Sequence, residues 1–402
     1  MSTVANAFFL ARAYLRERAL ATALNVMLLA LGVGTIIALL LTLHEAETRM
    51  ERDSAGIDLV VGAKGSPLQM VLSSVFALDV PTGNIPMREA AALLKNPLVK
   101  RAVPLALGDS YRAFRIVGTE PAYTELYRAK PNAGRLWQQP LEVVLGATVA
   151  RESGLRVGAK FAGAHGLGTG GGTHDTAPFE VVGILAETGA VIDRLILTSV
   201  ESIWLAHDHA DASHTPDTDD PEDEVTAYLV QYASPIAAAS FPRRVNASSS
   251  LQAASPALET ARLFALLGVG ISTFKVFAAI MMIAAALGIF VGLMSALNTQ
   301  LRDLALLRVL GATPATVFLT LIMQGLMLGL MGVILGVVLG HVGAYAISLS
   351  LAAAQQVPVA GFKMLAAEVW VALSALGLGL LAALYPAWRA YHRAAPQTLA
   401  EP

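Results

Sequence analysis

Four long uncharged, apolar stretches are separated along this chain by segments that hold nearly all of its charge. They lie at 19–43, 276–301, 317–347 and 369–388. A helix needs about 20 such residues to cross the hydrocarbon core of a bilayer, so each stretch predicts a membrane-spanning helix. The first could instead be a signal peptide, but it is too long for that and no small-residue cleavage site follows it.

The region from 44 to 270 contains no comparable apolar stretch and carries most of the charged residues. Short apolar segments such as 57–61 and 179–185 predict strands, and segments such as 88–95 and 148–153 predict helices. More than 200 residues of this kind are enough to form an independent core. The sequence therefore predicts a multi-pass α-helical membrane protein with four transmembrane helices and a large extracytoplasmic α+β domain inserted between helices 1 and 2.

The distribution of positive charge predicts the orientation of these spans. Arginines precede the first span, separate the second from the third and follow the fourth, whereas the short loop 348–368 has only Lys363. Because Lys and Arg are enriched in cytoplasmic loops, both termini are predicted to be cytoplasmic and the large domain periplasmic. The arginines concerned are Arg12, Arg16, Arg18, Arg302, Arg308, Arg389 and Arg393.

Residues 1–18 predict a cytoplasmic amphipathic helix. Val4, Phe8, Ala11 and Leu15 recur at helical spacing, with the arginines mostly on the other flank. Such a helix suits the inner membrane surface. The alternative is a plain cytoplasmic extension of the first span.

Composition narrows the function classes. The chain is 55% hydrophobic and 14% charged, whereas soluble domains are about 25% charged. A net charge of −2 gives no basis for binding nucleic acid. The absence of cysteine excludes thiolate catalysis, disulfides and thiolate zinc sites.

Two motifs carry a family resemblance. Residues 299–313 read Thr-Gln-Leu-Arg-Asp-Leu-Ala-Leu-Leu-Arg-Val-Leu-Gly-Ala-Thr, and 385–396 read Tyr-Pro-Ala-Trp-Arg-Ala-Tyr-His-Arg-Ala-Ala-Pro. The region 276–396 resembles the FtsX-like permease domain of FtsX/MacB/LolC-like ABC transporter permeases. Residues 397–402 follow it as a C-terminal tail. Residues 142–160 look like a strand–helix–turn unit of the MacB-like periplasmic domain.

The resemblance implies a permease subunit that couples ATP hydrolysis by a separate cytoplasmic ABC ATPase to movement of its periplasmic domain. It also implies a homodimer or heterodimer of permeases in membrane lipid, with a possible periplasmic partner protein. The alternative for the arginine-bearing segment is an ordinary interfacial loop. The residues that the resemblance assigns to ATPase coupling are Arg302, Asp303, Arg308, Gly311 and Thr313.

A phosphate-binding loop is not found in this sequence. Residues 62–66, Gly-Ala-Lys-Gly-Ser, have the right residue types in the wrong arrangement. We therefore expect no catalytic residues in this chain, and ATP with its magnesium ion in a partner subunit.

The third span carries a row of glycines, mostly four residues apart, and small residues at this period let helices approach closely. Packing within one subunit and a seam between two permeases both fit this row. Gln324 is the polar residue of the same span. The glycines are Gly325, Gly329, Gly332, Gly336 and Gly340.

Histidines and carboxylates concentrate in one part of the outer domain. Within residues 207–224, three histidines are followed by six carboxylates at 217–224, and two more histidines flank a glycine-rich tract. Imidazole and carboxylate suit Zn²⁺ or a similar divalent ion. The alternative function is therefore a zinc-linked permease; the alternative structure is a solvated acidic loop. The candidate ligands are His165, His174, His207, His209 and His214.

Overall fold

The computed structural model describes residues 3–165, 178–208, 223–299, 313–355 and 363–392. Its contacts divide the chain into a membrane unit, Met1–Glu45 with Leu267–Pro402, and an outer unit, Ala46–Leu266. The outer unit falls within the predicted 44–270. The helices are α1 Thr3–Glu17, α2 Ala19–Asp53, α3 Pro67–Ser74, α4 Met87–Leu94, α5 Ala122–Leu126, α6 Ala147–Ser153, α7 Val200–Asp208, α8 Pro235–Ser248, α9 Pro256–Thr299, α10 Pro314–Gln355 and α11 Ala366–His392.

Helices α2, α9, α10 and α11 are the four in the described part of the chain that are long and apolar enough to cross a membrane. They correspond to the four predicted spans, and the α+β domain lies between the first and second of them, as predicted. Three are much longer than a bilayer requires, with 35, 44 and 42 residues in α2, α9 and α10. In α2 the helix continues beyond the apolar stretch through the charged residues 44–53. It does so because Glu, Arg, Met and Ala, which make up most of this segment, all favour helix.

The membrane unit is held together by apolar side chains from all four long helices. One cluster joins Val26 of α2, Ile289 of α9, Leu328 of α10 and Ala383 of α11. A second joins Val33, Met282, Val333 and Ala375 from the same four helices. Leu15 of α1 packs against the first cluster, whereas Val4 and Phe8 of the same helix are exposed.

The outer unit is built on an 11-stranded mixed sheet with the order β13-β1-β12-β3-β4-β10-β6-β9-β5, to which β7 adds beside β9 and β8 beside β3. A small separate ladder pairs β2 with β11. The strands are β1 Leu59–Ala63, β2 Ile85–Pro86, β3 Val99–Tyr111, β4 Phe114–Thr119, β5 Pro131–Gly134, β6 Glu142–Leu145, β7 Lys160–Phe161, β8 Ala164–His165, β9 Phe179–Leu185, β10 Leu195–Thr198, β11 Glu224–Val225, β12 Ala227–Tyr232 and β13 Leu251–Ala254.

Apolar clusters cover both faces of this sheet. Leu59 and Val61 of β1 belong to one cluster, and Val60 between them belongs to the other. Because successive side chains of a strand point to opposite faces, both faces of β1 are buried. This explains why its sequence is a continuous apolar run rather than an alternating one.

Local signals fix the ends of several short elements. Ser66 accepts a hydrogen bond from the Gln69 amide and Pro67 occupies the first turn, so α3 begins there. Gly154 adopts a left-handed conformation with φ of 73° and ends α6.

Candidate functional site

The segment predicted to contact an ATPase falls mainly outside the described residues. Arg302, Asp303, Arg308 and Gly311 lie there, and their assignment stays a prediction. Thr313 is described and is exposed at the start of α10. Its Oγ1 accepts a hydrogen bond from the Thr316 amide at 3.4 Å, and Pro314 follows at the first helical position. Thr313 therefore caps α10.

The glycine row of α10 faces two neighbouring helices. At its C-terminal end, Gly332, Gly336 and Gly340 lie against Leu29, Val33 and Ile37 of α2. A methyl group added at Gly336 would lie 2.7 Å from the Val33 Cβ and 3.0 Å from the Ala30 carbonyl oxygen. The two backbones therefore approach too closely for a side chain.

The other two glycines of the row face α11. A methyl group added at Gly325 would lie 2.5 Å from the Ala383 Cβ and 2.8 Å from the Gly379 carbonyl oxygen. Gly329 has more room, with the Leu376 side chain at 3.5 Å. In this arrangement the row packs against helices of its own chain.

A cluster of hydrogen bonds holds the last turn of α2 within the outer unit. The Asp53 side chain is buried, and its Oδ1 accepts a hydrogen bond from the Val191 amide at 2.6 Å. The Tyr127 hydroxyl donates to the Asp53 carbonyl oxygen at 2.9 Å. Arg52 donates to the Gly189 carbonyl oxygen at 3.4 Å. The end of α2 is thus tied to the segment 188–194, which we call the latch loop.

The latch loop has a second carboxylate that organises it internally. Asp193 is buried and accepts hydrogen bonds from the amides of Thr188 and Gly189 and from the Thr188 hydroxyl. Gly189 adopts a left-handed φ of 74°, which glycine reaches without a steric penalty. The loop then continues as a 3₁₀ turn, Val191–Arg194. Asp53 consequently binds a loop that is already rigid.

Buried charges of both signs surround this junction. The Arg49 Nε lies 3.9 Å from the Asp53 Oδ2. Arg194 is 8% exposed; burial and the nearby Arg49 charge lower its pKa to about 10, although Asp53 partly opposes this change. Arg194 therefore remains protonated at neutral pH. Because buried ions are costly to separate from their partners, the end of α2 and the latch loop are expected to move together.

Sequence reasoning missed Asp53. The available signal was the spacing of Arg49 and Asp53, which are four residues apart at the end of a helix. The pattern resembles a surface ion pair. Only the folded chain shows that the carboxylate is buried.

The predicted zinc ligands fall largely outside the described residues. His174, His209 and His214 lie there, while His165 belongs to β8 and His207 to the last turn of α7. The described residues contain no group of three or more possible metal ligands, and zinc binding by the five histidines stays a prediction.

Comparisons with known proteins identify the chain by sequence. Residues 22–248 match the family model of the MacB-like periplasmic core domain, and residues 275–395 match that of the FtsX-like permease C-terminal domain. The first match covers more than half of the chain. A comparison with curated proteins found no match.

Two solved structures resemble part of the chain. The periplasmic region of MacB from Actinobacillus actinomycetemcomitans aligns with a TM-score of 0.34 and 9% identity, over 53% of this chain and 95% of that one. The extracellular domain of YknZ, a noncanonic ABC-type transporter from Gram-positive bacteria, aligns with a TM-score of 0.30 and 14% identity, over 49% and 98%. At these low scores the family assignment rests on the two sequence matches. The chain therefore belongs to the MacB and FtsX family of ABC-transporter permeases, and is an inner-membrane protein with four apolar helices and a MacB-like periplasmic core domain between the first and the second.

Proposed function

We propose that this permease transmits the motion of a separate cytoplasmic ATPase to its periplasmic domain. The observation that carries the proposal is the junction at Asp53. A single helix, α2, begins with the apolar residues of a span and ends in the outer unit, where Asp53 holds the latch loop. A helix is stiff along its axis, so displacement of its apolar part is passed to its last turn.

Attachment at the latch loop distributes this motion over the sheet. The Val191–Arg194 turn leads directly into β10, which pairs with β4 on one side and β6 on the other. A force on Asp53 therefore reaches strands in the middle of the sheet rather than a surface loop. The ATPase would act at the other end, through the segment that contains Arg302 and Arg308.

Replacing Asp53 with alanine is expected to uncouple the outer domain. The change removes the acceptor of the buried Val191 amide and the partner of Arg49, at a cost of about 3 kcal/mol. The measurement is hydrogen exchange of the reconstituted permease–ATPase complex with and without ATP. In the wild type, ATP should change the protection of β4, β6 and β10; in the Asp53→Ala variant this change should be lost while ATP hydrolysis continues.

The matched control is Glu51→Ala, because Glu51 is an exposed carboxylate in the same helical turn. It should preserve the effect of ATP on exchange. An unchanged ATP response in Asp53→Ala would show that motion reaches the domain by another route. A wild-type complex whose outer domain does not respond to ATP would contradict the proposed function itself.

The proposed orientation places both termini and Thr313 in the cytoplasm, with the outer unit in the periplasm. Single cysteines at Ser213, Thr313 and Thr398 can be introduced into a chain that has none of its own. An impermeant thiol reagent, applied to intact cells with a permeabilised outer membrane, should label Ser213→Cys alone. Labelling at Thr313→Cys or Thr398→Cys, or protection of Ser213→Cys, would contradict this orientation.

A further inference from the structure

A cleft in the outer unit lies between helix α8, strand β13 and the first turns of α9. Its volume is about 680 Å³, which is within the usual range of small-molecule sites, about 300–1,000 Å³. The turn after β1 contributes to its lining, and every lining residue belongs to the outer unit. We call this space the α8–α9 cleft; its lining includes Lys64, Tyr232, Arg243, Gln252, Leu258 and Arg262.

Positive charge dominates the lining of the α8–α9 cleft. Lys64 comes from the turn after β1, Arg243 from α8 and Arg262 from α9. Glu259 is the one carboxylate among the described residues that line the cleft. Three cations against a single carboxylate make the cleft electropositive, and a concave surface of one charge sign concentrates ligands of the opposite sign. The cleft is therefore suited to an anion.

The buried carboxylate of Glu259 holds one of these cations in place. Its side chain is 5% exposed, and its Oε1 accepts a hydrogen bond from the Arg262 Nη1 at 2.6 Å. The Arg262 side chain itself is 59% exposed. A guanidinium carries five N–H donors in one plane, so the bond to Glu259 leaves other donors for a ligand. Such a planar fork fits two oxygens of one phosphate group.

Hydrogen bonds to β13 hold the two elements that carry the other cations. The Asn246 side chain of α8 donates to the Ala253 carbonyl oxygen at 3.2 Å and accepts from the Ala253 amide at 2.7 Å. The Gln252 Oε1 accepts a hydrogen bond from the Gly65 amide, in the turn after β1, at 2.8 Å. Helix α8 and this turn are thus fixed to the same strand. A site whose walls are fixed beforehand loses less conformational entropy when a ligand binds.

Small and apolar side chains form another part of the lining. Ala238 and Pro242 come from α8, Ala254 from β13 and Leu258 from α9. Leu258 is 52% exposed. Small side chains leave room for a ligand, and removing apolar surface from water favours a hydrocarbon group beside the anionic one.

We propose that the α8–α9 cleft binds a phosphate-bearing ligand, with Lys64, Arg243 and Arg262 around the phosphate group. Cations from three separate elements can donate to different oxygens of one phosphate, which a single surface lysine cannot do. The sequence Gly-Ala-Lys-Gly-Ser at 62–66, which lacks the arrangement of a nucleotide loop, supplies the lysine of this site. A phospholipid headgroup and free phosphate share this chemistry, and the apolar part of the lining favours the lipid.

The test measures how far a ligand protects a single cysteine in the full-length permease in detergent. Ala239→Cys places a thiol on the lining of the cleft, in a chain that has no cysteine of its own. Its rate of reaction with an uncharged thiol reagent is followed with three probes: inorganic phosphate, dihexanoylphosphatidic acid, and dihexanoylglycerol, which has the same chains without phosphate. Dihexanoylphosphatidic acid should slow the reaction and dihexanoylglycerol should not. Equal slowing by inorganic phosphate at the same concentration would identify free phosphate as the ligand, and a much weaker effect would identify the lipid.

Neutralising two cations tests whether their charge is responsible. The double variant Lys64→Gln, Arg243→Gln should raise the half-protecting concentration at least ~10-fold, because each cation donates a charge-assisted hydrogen bond to the phosphate. Both side chains are exposed, so the fold should persist. Arg262 is left in place, because its removal would take the guanidinium away from the buried Glu259 carboxylate.

Two controls separate binding in the cleft from general effects. The double variant Arg88→Gln, Arg156→Gln removes two exposed arginines elsewhere in the outer unit and should keep full protection. Ala113→Cys, at an exposed position outside the cleft, should react at the same rate with every probe.

Three results would overturn the proposal. The first is that neither dihexanoylphosphatidic acid nor inorganic phosphate protects Ala239→Cys. The second is protection that persists unchanged when Lys64 and Arg243 are neutralised. The third is equal protection by dihexanoylglycerol, because the cleft would then bind apolar chains without recognising phosphate. These measurements need no ATP, so their outcome is independent of the proposed coupling to an ATPase.

Discussion

Replacing both Arg302 and Arg308 with glutamate is expected to separate the permease from its ATPase. The two arginines belong to the segment 299–313, which the family resemblance assigns to this contact. Truncating one partner of a buried interfacial charge pair costs roughly 2–5 kcal/mol, and reversing two charges adds repulsion. We expect affinity to fall at least ~100-fold, with co-purification and stimulation of ATP hydrolysis lost together.

The matched control reverses Arg88 and Arg156, two exposed arginines of the outer unit. It changes the net charge of the chain by the same amount and should leave both readouts intact. Because Arg302 and Arg308 are also among the residues that predict the orientation of the spans, thiol labelling at Thr398→Cys must confirm that the variant inserts normally. Survival of co-purification and stimulation in a correctly inserted variant would mean that the main contact lies elsewhere.

Replacing Gly336 with leucine is expected to disrupt the packing of α10 on α2. The first carbon of a new side chain would lie 2.7 Å from the Val33 Cβ, and leucine adds three more carbons to the same space. Overpacking of a core costs about 1–3 kcal/mol and sometimes more. The Ala30 carbonyl oxygen, 3.0 Å from the added carbon, belongs to the backbone of α2 and cannot rotate away as a side chain can, so we expect a loss near the upper limit. The measurement is thermal unfolding in detergent, followed by size-exclusion chromatography.

Gly377 provides the matched control, because no atom lies within 4 Å of a methyl group added there. Gly377→Leu should unfold close to the wild-type temperature. The same pair of variants tests the second interpretation of the glycine row. If Gly336→Leu keeps its thermal stability but loses a dimer, the row packs between two permeases rather than within one.

The membrane architecture could be predicted from sequence because its causes are local. A span needs only length and the absence of charge, and 19–43 and 369–388 meet both conditions by themselves. The ends of these helices could not be predicted in the same way. Residues 44–53 are charged and were assigned to the outer domain, yet they continue α2 as far as Asp53. Charged residues limit the length of helix that can lie in lipid, but they do not end the helix, which can continue into water.

The candidate sites were likewise predictable only where they follow a local pattern in the sequence. Glycine spacing in α10 is periodic, so the row was visible in the sequence, but its partners on α2 and α11 depend on how the helices pack. The latch at Asp53 joins residues 138 positions apart, and no spacing rule connects an aspartate at a helix end with a distant amide.

The sequence by itself determined that this chain spans a membrane four times, that an α+β domain follows the first span, and that the protein belongs to an ABC permease family. These properties follow from hydropathy, charge and motif, which are read along the chain. Tertiary structure alone decided which charges are buried. Asp53 and Glu259 look like ordinary carboxylates near helix ends, and their chemistry comes from what packs around them, since burial removes the water that would otherwise stabilise their charge.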